Sequence, residues 1–348
     1  MSRSTELHAQ QWTVAVYGAT GHTGRFVVAE LMRRGVAAIA VARDSTKLAA
    51  LARECPGVQT RVATTEDSAT LCRALAEVNA VINCAGPFLD TADAIVDAAL
   101  RAGAHYVDVT AEAASAQRTL DRWDAPARMA GRAVIPAMGF FGGLADLLAT
   151  GATGDQPADE IRIGIALDSW HPTSGTRVTG HRNTAPRLMV ADNRPQPIPS
   201  QQPETTWTFP NPFGATAVVE LSFSEFALIT RHLPVRELHT FLNLESLRQL
   251  RDPATPPPQP TDHRGRSQQR FLVEVIVRTA TSTRHVTARG QDIYAVTAPL
   301  ACQAVHQLLT APSPAGAFAP GEVFSADSFL SALDPEHLRI AGLAPHLV

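Results

Sequence analysis

The chain has 348 residues, 45% hydrophobic and 18% charged, which suits two soluble domains with substantial cores. A formal net charge of -3 gives no electrostatic basis for a nucleic-acid or anionic-membrane partner. Four scattered cysteines without a CxxC pair (Cys55, Cys72, Cys84 and Cys302) argue against a zinc site and a disulfide framework.

The first eleven residues are polar and lack the apolar run of a signal peptide. No later apolar run is long enough to cross a membrane. The expectation is a cytoplasmic protein with reduced thiols. Thr13 to Tyr17 is a β-branched run that predicts a strand buried on both faces. It leads directly into Gly18-Ala19-Thr20-Gly21-His22-Thr23-Gly24, after which the spacing predicts a helix over Arg25–Arg34, stopped by Gly35. A glycine turn between a strand and a helix points to a dinucleotide. Gly18 permits the tight turn, Gly21 lets the backbone approach a pyrophosphate, and Gly24 lets the helix pack on the strand. The helix N-terminus supplies N–H groups and a positive dipole end.

A second strand, Val36–Ala42, ends at Arg43, 19 residues after Gly24, where an NAD-type domain usually carries the acid that binds the ribose 2′-hydroxyl. Arginine suits a 2′-phosphate instead, and Lys47, the only lysine in the chain, lies one helical turn on. The expected cofactor is therefore NADP in preference to NAD. Asp44 competes for the acidic role, but it reads better as the cap of a helix over Ser45–Glu54. Further strands are expected over Val58–Ala63, Asn79–Cys84 and His105–Val109, with helices over Ser68–Glu77 and Thr91–Ala102. The loop Ala85-Gly86-Pro87-Phe88 leaves the carboxyl end of a strand, the edge where open α/β sheets bind ligands. The alternation predicts a doubly wound parallel sheet.

Together G-A-T-G-H-T-G, C-A-G-P-F and A-G-A-H-Y-V-D-V-T-A-E resemble the saccharopine dehydrogenase-like oxidoreductases, over roughly residues 12–150. That family includes saccharopine reductases and mycobacterial trans-acting enoyl reductases. Weaker echoes are Ser174-Gly175-Thr176 and Gly290-Gln291-Asp292-Ile293-Tyr294. The resemblance implies that Gly18, Thr20, Gly21, His22, Thr23 and Gly24 bind the pyrophosphate. It also implies that Arg43 and Lys47 flank the adenosine ribose and that Ala85, Gly86 and Pro87 lie near the nicotinamide. Two departures leave the substrate open. Ala111 precedes Glu112 where relatives often have glycine, and Gly139-Phe140-Phe141-Gly142-Gly143-Leu144-Ala145-Asp146 keeps only the last aspartate of a G-F-D-x-x-P-x-D stretch.

The implied architecture is a Rossmann-like α/β domain over residues 1–140, a mixed α+β substrate and dimerisation domain over 141–290, and C-terminal helices over 291–348 that return to the first domain. Ala133–Met138 reads as a sixth strand. Period-two alternation at Ile161, Ile163 and Ile165 marks the start of the second sheet. Ala217–Phe223 and a hairpin of Phe271–Thr279 with Ser282–Ala288 extend it. The proline-rich stretches Asn193–Pro203 and Asp252–Pro260 read as surface loops, and helices are expected over Tyr294–Leu309 and Ser325–Leu333.

The chain has no HExxH, no GxSxG, no phosphate loop and no EF-hand loop, so no metal is expected. Its tyrosines, Tyr17, Tyr106 and Tyr294, are followed four positions on by Gly21, Thr110 and Ala298, which excludes the Y-x-x-x-K pair of short-chain dehydrogenases. Asp108 and Glu112, at and just past a strand's carboxyl end, are the catalytic candidates, for relaying a proton or anchoring a cationic substrate. Glu112 alternatively begins a helix. His171, His181 and Arg182 come from the second domain and are candidates to face the cleft, with surface or structural roles the default. The expected function is an NADP-dependent oxidoreductase that reduces a C=N, C=C or C=O bond of a small organic molecule. The alternative is a non-catalytic NADP-binding regulator, motivated by the missing acid/base pair. A homodimer is expected from the resemblance.

Overall fold

The computed structural model describes residues 12–154, 156–333, 335 and 337–343, so the polar start of the chain lies outside it. Six strands, β1 (Thr13–Tyr17), β2 (Ala37–Ala42), β3 (Gln59–Val62), β4 (Ala80–Asn83), β5 (His105–Asp108) and β6 (Ala133–Ile135), alternate with five helices. These are α1 (His22–Arg33), α2 (Ser45–Glu54), α3 (Ser68–Ala74), α4 (Phe88–Arg101) and α5 (Ala113–Ala130). The strands pair in parallel in the order β3-β2-β1-β4-β5-β6. Val14, Val16, Ala38, Ala40 and Ile82 face one apolar layer, whereas Ala15, Ile39, Val41, Val81 and Tyr106 face another. Burial on both faces explains why these strands read as short apolar runs. The order reverses direction between β1 and β4, the switch point at which such sheets open a crevice.

A π-helical turn (Phe140–Leu144) and α6 (Ala145–Thr153) lead into the second unit. It comprises β7 (Ala158–Leu167), α7 (Ser174–Arg182), β8 (Leu188–Ala191), β9 (Arg194–Pro197), β10 (Thr205–Thr208), β11 (Ala215–Glu220), α8 (Ser224–His232), β12 (Val235–Asn243), α9 (Leu244–Arg251), β13 (Arg270–Arg278) and β14 (Thr283–Gln291). β7 runs parallel to β12 and antiparallel to β13, so the sheet is mixed. The expected hairpin is present, with Val275 opposite Val286. The 193–203 stretch is not wholly loop: β9 pairs antiparallel with β8 at the sheet's margin, where a proline's missing N–H is tolerated.

The chain then forms α10 (Ile293–Thr310), β15 (Gly316–Ala317), α11 (Pro320–Val323), α12 (Ala326–Ser331) and β16 (Arg339–Ala341). α10 packs on α1, and β15 extends the first sheet beside β6. However, α11 and α12 pack on α6, and β16 pairs with β14, so the last segment serves both sheets. Residues of α1, α6, α10 and both sheets share one apolar core. The two-domain α/β architecture, a parallel Rossmann-like sheet with a mixed second domain, is the one expected.

Candidate functional site

A cleft of about 1060 Å³ opens at the switch point, between the carboxyl ends of the first sheet and α7 and α9 of the second unit. Its floor is the glycine turn. Gly18 has φ +78°, which requires glycine, and a Cβ there would stand 2.9 Å from the Ala85 backbone nitrogen. A Cβ on Gly24 would meet the Gly18 carbonyl oxygen at 2.2 Å, so α1 approaches the turn as closely as it does only because this residue has no side chain. α1 starts at His22, three residues earlier than expected, with Gly21 as an N-cap lacking any side-chain bond. Its first turn also has no acidic residue. The Gly21 N–H closes the turn on the Gly18 carbonyl oxygen at 2.9 Å, and the uncapped N–H groups of His22 and Thr23, with the positive dipole end, meet the cleft, which suits a phosphate.

At the end nearer β2 and β3 the lining is Tyr17, Ala42, Arg43 and the loop Thr64 to Glu66. Arg43 is exposed at the tip of β2. Lys47 is not on the lining; its ammonium pairs with Asp44 at 3.8 Å. Asp44 caps α2, accepting from the Lys47 backbone N–H at 3.0 Å. That bond holds its carboxyl below the ordinary carboxylate range.

At the other end β4 delivers Cys84, Ala85 and Gly86 to the wall, with a cis bond between Gly86 and Pro87. Asn83 Oδ1 accepts from Ala85 N at 2.9 Å, and Thr91 Oγ1 donates to Ala85 O at 2.6 Å. Glu112 lines this end and is fully buried. It is the N-cap residue of α5, yet its carboxylate serves α4, accepting from Phe88 N at 2.7 Å and Leu89 N at 3.4 Å. Burial pushes its carboxyl up, against the pull of those N–H groups. Asp108 is not on the lining. It is fully buried and accepts from Ala137 N at 2.8 Å, Tyr106 OH at 2.9 Å and Thr110 N at 3.0 Å, tying β5 to the turn after β6. The strand-end position suggested access to the cleft, but the chain after Ile135 folds over it. Of the other expected residues, Thr20, Gly21, His22, Thr23, Ala85 and Gly86 line the cleft, whereas Gly24 and Pro87 stand behind it.

Of the opposite wall the sequence offers Ser174-Gly175-Thr176, His181, Arg182 and Tyr294, but not the aromatic residues and Arg187 that complete it. α7 has no buried residue and lies over the loop after β4: a Cβ on Gly86 would sit 2.6 Å from Thr179 Oγ1. Two latches hold it there. Arg182 pairs with Asp90 of α4 at 2.8 Å, and Tyr294 of α10 gathers Thr176 Oγ1 at 3.0 Å, Trp170 Nε1 at 3.2 Å and Thr173 N at 3.3 Å. His181 also lines the cleft, whereas His171 does not. Deeper in, Phe141 stacks on Trp170 (centroids 5.1 Å apart) and packs on Phe223 at 4.2 Å. Arg187 lies over the Phe223 ring, 5.0 Å from its centroid.

Residues 14–133 match the family model of the saccharopine dehydrogenase NADP binding domain. Over that first third the chain is similar to an NADP binding domain of saccharopine dehydrogenases. It is 30% identical over 149 residues to a lipid droplet localized protein of Caenorhabditis elegans, covering 39% of this chain and 35% of that protein. It is 31% identical over 137 residues to a Mycobacterium tuberculosis protein named as a trans-acting enoyl reductase, covering 38% of this chain and 33% of that one. These matches therefore span about a third of the relatives' length. Over nearly the whole chain the fold is that of the Saccharomyces cerevisiae saccharopine dehydrogenase (L-Glu forming), with TM-score 0.67 at 12% identity, covering 96% of this chain and 100% of that one.

Proposed function

We propose that this chain is an NADPH-dependent oxidoreductase that reduces a C=N, C=C or C=O bond of a small organic molecule in the cleft between its two sheets. The carrying observation is the helix N-terminus that lacks both a cap and an acid, set in a glycine turn that a Cβ would fill. Those features fit a dinucleotide. Gly18, Gly21, His22 and Thr23 would hold the pyrophosphate, Arg43 the ribose 2′-phosphate, and Ala85 and Gly86 the nicotinamide side. The bound cofactor would supply the hydride. The chain's own part is to position it, and α7 and Phe88 keep bulk water from that end of the cleft. The same reading takes a small-molecule substrate and a second copy of the chain as partners, in the cytoplasm.

One observation favours a second reading, a non-catalytic NADP-binding regulator. Neither candidate carboxylate is free, because Asp108 faces the interior and both oxygens of Glu112 hold backbone N–H groups. A cleft of about 1060 Å³ that continues past the glycine turn to Phe141, Trp170 and Arg187, with room for a second molecule, favours the enzyme. Fluorescence titration with NADPH and NADH, repeated on Arg43→Ala, tests the cofactor. The expected result is tighter NADPH binding that the substitution weakens selectively, by on the order of tenfold. Glu66 lies at the same end, so equal binding of both nucleotides would overturn the NADP preference. Binding of neither would overturn the whole reading. Turnover with a panel of imines, enones and carbonyl compounds separates enzyme from regulator.

A further inference from the structure

We propose that the inner end of the cleft binds an apolar organic acid, its carboxylate on Arg187 and its flat, conjugated body against Phe141, Phe223 and Trp170. This rests on the oxidoreductase reading and names the substrate class for it. The Arg187 guanidinium presents five N–H donors, and the hydrogen bond it makes within the protein goes from Nη1 to the Ser222 carbonyl oxygen at 2.7 Å. Its Cζ lies over the Phe223 ring, 5.0 Å from the centroid. No carboxylate forms an ion pair with it among the described residues. Two acids face it at longer range. Glu225 is fully buried with Oε1 accepting from Phe223 N at 2.8 Å and Oε2 without a partner, and burial pushes its carboxyl toward the neutral form. Glu112 is occupied by the start of α4. Arginine keeps its charge even when largely buried, and a buried charge without a counter-ion is costly. An incoming carboxylate, bound through the free edge of the fork, would complete it.

The surroundings narrow the class. Leu221, Leu247 and Leu250 continue the apolar wall beyond the aromatic rings. The neighbouring cation on α7, Arg177, is engaged by the carbonyl oxygens of Thr255 at 2.8 Å, Asp252 at 3.1 Å and Leu250 at 3.5 Å. His181 Nδ1 is engaged by Arg177 O at 2.7 Å. Arg251 is exposed at the rim. One inner cation on an apolar wall suits a single carboxylate with a hydrophobic body. A small zwitterion or a dicarboxylate would need several partners there.

The test titrates the NADPH-saturated full chain with trans-cinnamate, followed by tryptophan fluorescence, with cinnamyl alcohol and L-glutamate in parallel. Cinnamate should saturate, the alcohol should bind about tenfold or more weakly, and glutamate should not saturate. Arg187→Met should weaken cinnamate by about the same factor while leaving the NADPH affinity within about twofold. Absent saturation by cinnamate, equal binding of acid and alcohol, tight glutamate binding, or an unaffected Arg187→Met variant would each overturn the proposal. The comparison of acid with alcohol is made on the unmodified chain and does not depend on the variant folding. Failure of NADPH to bind before any acid is added would instead mark failure of the cofactor reading.

Discussion

Replacing Asp108 with asparagine should change how stability depends on pH while leaving NADPH binding unaltered. The carboxyl is fully buried, and burial pushes its pKa from 3.8 up to about 6, against the pull of Ala137 N, Thr110 N and Tyr106 OH. The folded chain therefore holds this proton more tightly than the unfolded chain. The resulting stabilisation is fully present below about pH 4 and is lost as the pH rises through about 6. A rise of about two pH units, at 1.36 kcal/mol each, amounts to about 3 kcal/mol. Asparagine preserves the local geometry, since its Oδ1 accepts from the same two backbone N–H groups and its amide reaches the Tyr106 oxygen. It cannot ionise. Urea unfolding of both proteins between about pH 4 and pH 8 should show the difference moving by about 3 kcal/mol in the variant's favour. Parallel stability curves would refute the burial argument. Lost NADPH binding or turnover would show that this carboxylate acts in the cleft after all, against its placement behind the turn after β6.

Gly24→Ala places a methyl group 2.2 Å from the Gly18 carbonyl oxygen, a clash between two backbone segments that only a shift of α1 relieves. We expect a loss of about 1–3 kcal/mol in stability and at least about tenfold in NADPH affinity, read by thermal unfolding and fluorescence titration. Unchanged affinity would mean that the phosphates do not rest on this turn. Tyr294→Phe removes the oxygen shared by Trp170, Thr173 and Thr176, at about 1–3 kcal/mol for the orphaned buried donors. Amide exchange across residues 173–182 should accelerate; unchanged protection would show that α7 is held by its other contacts.

The parts of the site that sequence reasoning found are those whose requirement is local. The roles of Gly18 and Gly24 follow from one strand, one turn and one helix that are contiguous in the chain, Thr13 to Arg33, and the structure shows each physical reason directly, a positive φ and a backbone contact. The start of α1 was misplaced because His22 and Thr23 are weak helix formers, yet their N–H groups are those a helix leaves unpaired. Asp108 shows the limit of position along a strand. The end of β5 faces the crevice, but whether its last side chain reaches the cleft depends on how Ala137 and Met138 fold back over it. The second wall lies beyond any local rule. Phe141, Trp170, Arg187 and Phe223 come from four separate segments with no common spacing, and only the docking of the second unit brings them together. The family match ends at residue 133, before the first of them. The cofactor class is accordingly legible from the first third of the chain. On the proposed reading the substrate is set by tertiary contacts, and the chemistry of Arg187 and its aromatic neighbours would discriminate between acids and neutral compounds in a way that resemblance does not.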